Sequence, residues 1–443
     1  MPSTRRRFLL GAAALAGVAG CNERSARASR ETVTPVEVPR TDQEIVREAM
    51  AIDAPSVPSA IRVSDAHWAA AVDHVETLRD SVEELLESTD GSSGERDRNR
   101  LQDDVLERAD DRLESARETG PSEEGVHLLR RIVRDLARAD GYLRAERGTL
   151  DATALRSAVE AEREATDALL DGFEYRIARP VEEVLPTAFA AERALEMADS
   201  LDHVDDFLDD ERGSDGDAQR RVDQLASVYR SLEVHRRRRD DAERYIETAT
   251  DPDERSLRPA IDAELDDLAD ELATVAEQFP DEERSAREEE TVADYFEEIR
   301  SNVGHRTGRF RSQLSEHREN GRRLHGLFRA QQLLVEYESV TAAIDRTKPL
   351  LDGPEFPTSR LLTEKRRAVE SVERVADGTP IQRYLARRAA QMLESADHYS
   401  RGDGLNTRAL ARMHLMYAGA AEWAELALDR GDALTESLQA QQS

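Results

Sequence analysis

The sequence predicts an all-α protein of about ten long amphipathic helices, packed as antiparallel bundles or an extended helical array, with no sheet. Three observations predict it. Apolar residues recur at intervals of three and four along most of the chain, the period of a helix with one packed face. Proline, glycine and Ser/Asp clusters interrupt that pattern at helix-length spacings, as at Gly120-Pro121, Arg179-Pro180 and Asp251-Pro252. The one alternating stretch, "TVTPVEV", is broken by Pro35 and has no second strand to pair with.

The first segment stands apart from that body. Arg5, Arg6 and Arg7 precede an apolar run from Phe8 to Val18, and small residues lead to Cys21, the one cysteine of the chain. Charge, apolar stretch and small residues are the order of an export signal. The run is about a dozen residues long, against the roughly 20 a membrane span needs. Thr4-Arg5-Arg6-Arg7-Phe8-Leu9 resembles the twin-arginine signals of folded-protein export, with Arg5, Arg6, Phe8 and Leu9 as its signal residues. Val18-Ala19-Gly20-Cys21 resembles a lipobox, as in lipoprotein precursors of extreme halophiles. The resemblance implies cleavage before Cys21, lipid on its thiol, and residence at the extracellular face of the cell membrane. An uncleaved N-terminal anchor is the alternative, and it too leaves the protein on a membrane. With its one cysteine lipidated, the mature chain forms no internal disulfide and holds together by packing alone.

Composition agrees with that setting. The formal charge is −31, with 93 acidic and 62 basic residues. Residues 1–20 hold three arginines and no acid, so the mature chain carries three more negative charges, near −34. Lysine occurs only at Lys348 and Lys365. This carboxylate-rich, lysine-poor usage resembles that of proteins from extreme halophiles; an ordinary acidic protein is the alternative. In about 1 M salt the Debye length is about 3 Å, so surface carboxylates hardly repel one another, whereas dilute buffer lets them push apart. The same charge argues against nucleic acid as a partner.

Residues 1–20 read as the signal, 21–62 as a lipid-anchored flexible tether, 63–250 as an N-terminal helical bundle and 251–443 as a C-terminal one. The boundary falls near 211–217 or 250–256, and one continuous helical domain is the alternative. Within the body, Ser64 is placed to cap a helix carrying Trp68, Ala71, Val75, Leu78, Val82 and Leu85. Val126, Leu129, Val133, Leu136 and Leu143 continue the pattern, followed by Leu155, Val159, Leu169, Phe173 and Ile177. A helix from Val181 to Asp209 is expected to bend at Pro186. Val222, Leu225, Tyr229 and Leu232 mark the next, and Ser256 is placed to open another. A long helical region spans Ser285 to Thr347, with a break expected near Gly304, and three shorter helices finish the chain. In the last of them Leu410, Met413, Tyr417, Ala420, Ala424 and Ala427 read as a core face of small residues.

Familiar catalytic patterns are missing. The chain has no G-x-x-x-x-G-K, H-E-x-x-H or G-x-S-x-G. Only Glu124-x-x-His127 fits the ligand pair of a di-iron bundle, which needs two such pairs, so neither metal nor other cofactor is expected. "ERGSDGDAQRRV" departs from a calcium loop at Gly213 and Val222 and reads as a turn. Arg-Gly-Asp occurs at Arg401 and Arg430, where the glycine suits a helix end.

Two basic stretches remain. Arg236 to Arg239 occupy four consecutive positions, a sweep of about 300° around a helix, so at least one must face inward. Extending the apolar stripe from Leu232 places Arg236 and Arg239 on the packed face, where each needs a carboxylate or an anion. Farther along, Arg311, Arg318, Arg322, His325 and Arg329 share one stripe beside the apolar Phe310, Leu314, Leu324 and Phe328. Such a flank suits an acidic protein, an anionic glycan or a lipid headgroup, or else salt bridges to the protein's own acidic helices.

The expectation is therefore a membrane-anchored, surface-displayed helical protein acting as an interaction or scaffold module, and no enzyme. The alternatives are an extracellular receptor for a solute or anion and an enzyme of an unfamiliar helical type.

Overall fold

The computed structural model describes residues 39–88, 105–198, 201, 204, 218–279, 292–352, 355–399 and 405–440. The export signal, Cys21, the "TVTPVEV" stretch, most of the Asp/Gly turn and the Arg401 tripeptide lie outside these residues. The described chain is all-α. Its thirteen α-helices are α1 (Arg40–Met50), α2 (Asp65–Glu87), α3 (Glu107–Thr119), α4 (Glu123–Glu146), α5 (Ala152–Asp171), α6 (Val181–Ala198), α7 (Ala218–Ala249), α8 (Arg258–Gln278), α9 (Val292–Glu319), α10 (Arg323–Thr347), α11 (Thr358–Ala376), α12 (Pro380–Tyr399) and α13 (Thr407–Ala440). An isolated antiparallel bridge between Ile177 and Thr250 is the one β feature among the described residues. None of these helices is long and apolar enough to cross a membrane.

The chain divides into two compact units, Ser59–Pro259 and a second made of residues up to Pro58 together with Ala260–Ser443. In the first, Ser64 caps α2 by accepting from the His67 amide, and Ser122 and Asp151 do the same for α4 and α5. Val75, Val82, Leu129, Val133 and Leu136 meet in the α2–α4 core. Helix α7 packs against α4, α6, α5 and α2. A helix flanked on so many sides has little surface left for water, and polar residues on it are drawn inside. The apolar stripe expected to carry α5 through Ile177 ends earlier. The helix stops at Asp171, and Phe173 and Ile177 are buried from the extended segment after it, with Ala178 N donating to Ala249 O at 2.9 Å.

The second unit is organised around α13, which packs against α10, α11 and α12. Leu410, Met413, Tyr417, Ala420, Ala424 and Ala427 are all buried there. Three helices finish the chain as expected, and the last, α13, is with 34 residues the longest among the described residues. Residues 40–50 belong to this unit as well. The flexible tether expected to reach residue 62 gives way to α1, which packs on α11 and buries Val46 and Ala49.

Two expected glycine roles are also corrected. Gly304 does not break a helix; it sits inside α9, where a Cβ would collide with the Phe279 ring. The break comes at Gly321, whose φ of +72° suits a residue without a side chain, and Arg322 N donates back to His317 O at 2.7 Å. Gly431 of the second Arg-Gly-Asp lies inside α13, where an added Cβ would meet Gln382 Cγ at 2.5 Å and its Cα at 3.2 Å. It marks a close helix crossing and not a helix end.

Candidate functional site

The four-arginine run of α7 sorts itself by depth. Arg237, and neither Arg236 nor Arg239, is the residue turned fully inward, with 1% exposure. The apolar stripe misplaces it because α7 is covered on several sides and has no single packed face. Arg237 Nε donates to Asp241 Oδ1 at 2.9 Å, one turn along the helix, and Arg237 Nη1 donates to the Ala70 carbonyl at 3.3 Å. His67 Nε2 donates to the same carboxylate at 2.8 Å, and Arg130 Nε pairs with Oδ2. The Tyr245 ring stands edge-on to His67 at 4.7 Å. Burial would raise the Asp241 carboxyl; the Arg130 charge, the His67 hydrogen bond and Arg237 instead hold it well below the ordinary carboxylate range. Two guanidinium groups and an imidazole thus converge on one buried carboxylate, a structural knot that ties α2, α4 and α7 together.

Arg236 is half-exposed and bonds Glu233 Oε1 at 2.6 Å, while His74 approaches the other oxygen of that buried glutamate at 3.4 Å. Arg239 bonds Glu162 at 2.8 Å and Glu243 at 2.7 Å. A groove of about 420 Å³ runs past Asp73, His74, Arg237, Asp240, Glu243 and Arg244. It is open and strongly charged.

The second basic stretch is not one stripe. The reversal at Gly321 leaves Arg311 and Arg318 on α9 and puts His325 and Arg329 on α10, with Arg322 as its N-cap. Phe310, Leu314, Leu324 and Phe328 are buried in the resulting hairpin. Arg318 pairs with Asp266 at 2.6 Å and Asp262 at 3.2 Å, and Arg323 also bonds Asp262. His325 stacks on His317 at 4.6 Å. Arg311 is exposed and makes no ion pair among the described residues.

Arg329 stands in a different setting. It lies beside Glu336 (2% exposed), two turns along α10, which is already flanked by Arg306 of α9 at 2.6 Å and Arg388 of α12 at 2.9 Å. Burial, with repulsion from Arg306 and Arg388, lowers the Arg329 pKa despite attraction from Glu336. Arg388 is lowered likewise, by burial first and then by Arg306 and Arg387 against Glu336. Arg306 and Arg388 lie on helices other than α10, so no spacing within one segment points to them.

One more polar group is buried in this unit. Lys365, fully enclosed, reaches Asp397 Oδ2 at 2.8 Å, and the Tyr417 hydroxyl donates to Asp397 Oδ1 at 2.5 Å. The ammonium also lies 4.8 Å from the Tyr417 ring centre. All three groups satisfy one another, which makes this a packing device.

Two structural units, each all-α, thus carry buried ion-pair clusters. Residues 66–256 match a family described as a domain of unknown function (DUF8262), and residues 258–436 match another so described (DUF8264). The two matches meet where the chain passes from one compact unit to the other. No curated protein and no solved structure matches the chain.

Proposed function

We propose that this protein is a lipoprotein displayed on the outer face of the cell membrane, where its two helical units act as an interaction or scaffold module. The single observation that carries the reading is the order of Arg5, Arg6, the apolar run and Cys21 ahead of a long helical body. Internal use of the basic residues supports it: Arg237, Arg239 and Arg318 are held by the protein's own carboxylates. The acidic surface left outside favours cationic or polar protein partners and repels nucleic acid. Cys21 supplies the membrane link, and residues 22–39 supply reach.

Cross-linking on intact cells tests the proposal. Lysine is nearly absent, so a membrane-impermeant reagent directed at carboxylates is the suitable choice. The expected result is a reproducible set of cross-links between the helical body and another surface protein, at the salt of the growth medium. A protein that stays inaccessible to the reagent until cells are lysed would contradict display.

A further inference from the structure

We propose that Arg306, Arg329 and Arg388 form a binding site for a compact tetrahedral oxyanion, such as inorganic phosphate or sulfate, above the buried Glu336. The inference is independent of membrane display.

Positive charge is in surplus around Glu336. Arg306, Arg329 and Arg388 gather around one carboxylate, Glu336, with Arg387 adding repulsion on Arg388, in a chain whose overall charge is −31. By contrast, Arg318 touches two carboxylates, and Arg430 bonds Glu338 at 2.6 Å and Glu271 at 2.8 Å. Around Glu336 the ratio is reversed. Arg306 and Arg388 form ion pairs with its two oxygens at 2.6 and 2.9 Å, and Arg329 has neither a hydrogen bond nor an ion pair among the described residues. Arg306 Nε is also buried without an acceptor among them. Partly desolvated guanidinium groups that repel one another are costly until a second anion joins them.

The site is open enough to admit one. Arg306 and Arg388 keep 28% and 16% of their side-chain surface exposed, while Glu336 beneath them keeps 2%. It is also held in place. Arg388 lies over the Trp423 ring at 5.3 Å, Arg387 over the Tyr384 ring at 4.3 Å, and Tyr384 packs against Phe328 at 4.9 Å. Guanidinium groups fixed against aromatic rings lose little freedom on binding, and their planar forks match the oxygen edges of a tetrahedral anion. Chloride offers no such edges, so discrimination in a chloride-rich medium follows from shape.

Melting of the full chain in molar potassium chloride, with inorganic phosphate added at constant ionic strength, is the test. A saturable rise in melting temperature is expected for the wild type. Arg329→Gln should weaken the apparent phosphate affinity by about tenfold or more, and Arg329→Lys should weaken it less. Glu336→Gln, which removes the internal competitor, should tighten it. Arg311→Gln, at an exposed position away from the cluster, should behave as the wild type. Sulfate replacing phosphate with similar effect fits a site for the shared tetrahedral shape. A wild-type melting temperature indifferent to phosphate would overturn the proposal even if the Arg329 variants failed to fold. So would an unchanged phosphate response in Arg329→Gln.

Discussion

Arg237 and Asp241, one turn apart on α7, are both withdrawn from solvent and joined to each other, and the same carboxylate also holds His67 and Arg130. A single acid thus compensates one fully buried cation, Arg237, and one partly exposed one, Arg130. Removing it as Asp241→Ala is expected to destabilise the first unit by about 3–5 kcal/mol, because the guanidinium groups are left without a counter-charge. The half-exposed Arg236→Ala should cost less, about 1–2 kcal/mol, because the buried Glu233 keeps His74 beside it. Denaturant unfolding in molar salt measures both, and equal losses would show that depth does not rank the arginines of this run.

The contrast shows what the sequence made legible. Three-four spacing is local, so the helices, the Ser64 cap and the core face of α13 were readable. That one of four consecutive arginines must turn inward was also readable, from helix geometry alone. Which one was not, because the answer depends on how many neighbours surround α7. The same limit applies to Gly304 and Gly321. Both are glycines in a helical context, and only the Phe279 ring pressed on the first shows that it serves packing and not a turn. His67, Arg130 and Asp241, like Arg306, Glu336 and Arg388, come together from separate helices, and no spacing in one segment announces them.

The close crossing at Gly431 predicts a steric penalty. Gly431→Ala places a methyl group against Gln382, whose side chain also donates to the Leu428 carbonyl at 3.3 Å and to Asp432 at 2.8 Å. A loss of about 1–3 kcal/mol is expected, although alanine is the better helix former. An increase in melting temperature would mean that the crossing relaxes freely.

Buried histidines predict an acid-sensitive range. Burial, with Arg238 and Arg163 nearby, pushes His235 down to about 3, and burial with Arg346 and Arg360 pushes His414 down to about 4. The unfolded chain takes up these protons near the ordinary histidine value while the folded protein does not. Stability from these groups is therefore complete above about pH 6.5 and declines as pH falls toward the folded values. Glu162 and Glu264, raised mainly by burial, act in the opposite sense over the carboxylate range. Comparing the wild type with His414→Asn isolates the effect. The variant should lose less stability between pH 6.5 and pH 4.5, and parallel curves would refute the assignment.

Charge density predicts salt dependence. Dialysis of the helical body from molar potassium chloride into dilute buffer should remove much of its helical circular dichroism, since repulsion among carboxylates is no longer screened. An unchanged spectrum and melting point would show that the internal ion pairs and core suffice without salt.

The most direct measurement of the account is fractionation of cells making the wild type or Cys21→Ser, with external protease applied before lysis. The wild type should sediment with membranes and be cut on intact cells, whereas Cys21→Ser should be exported but recovered in the soluble external fraction. A Cys21→Ser protein that remains in the membrane pellet like the wild type, or a wild type protected from protease until lysis, would contradict it.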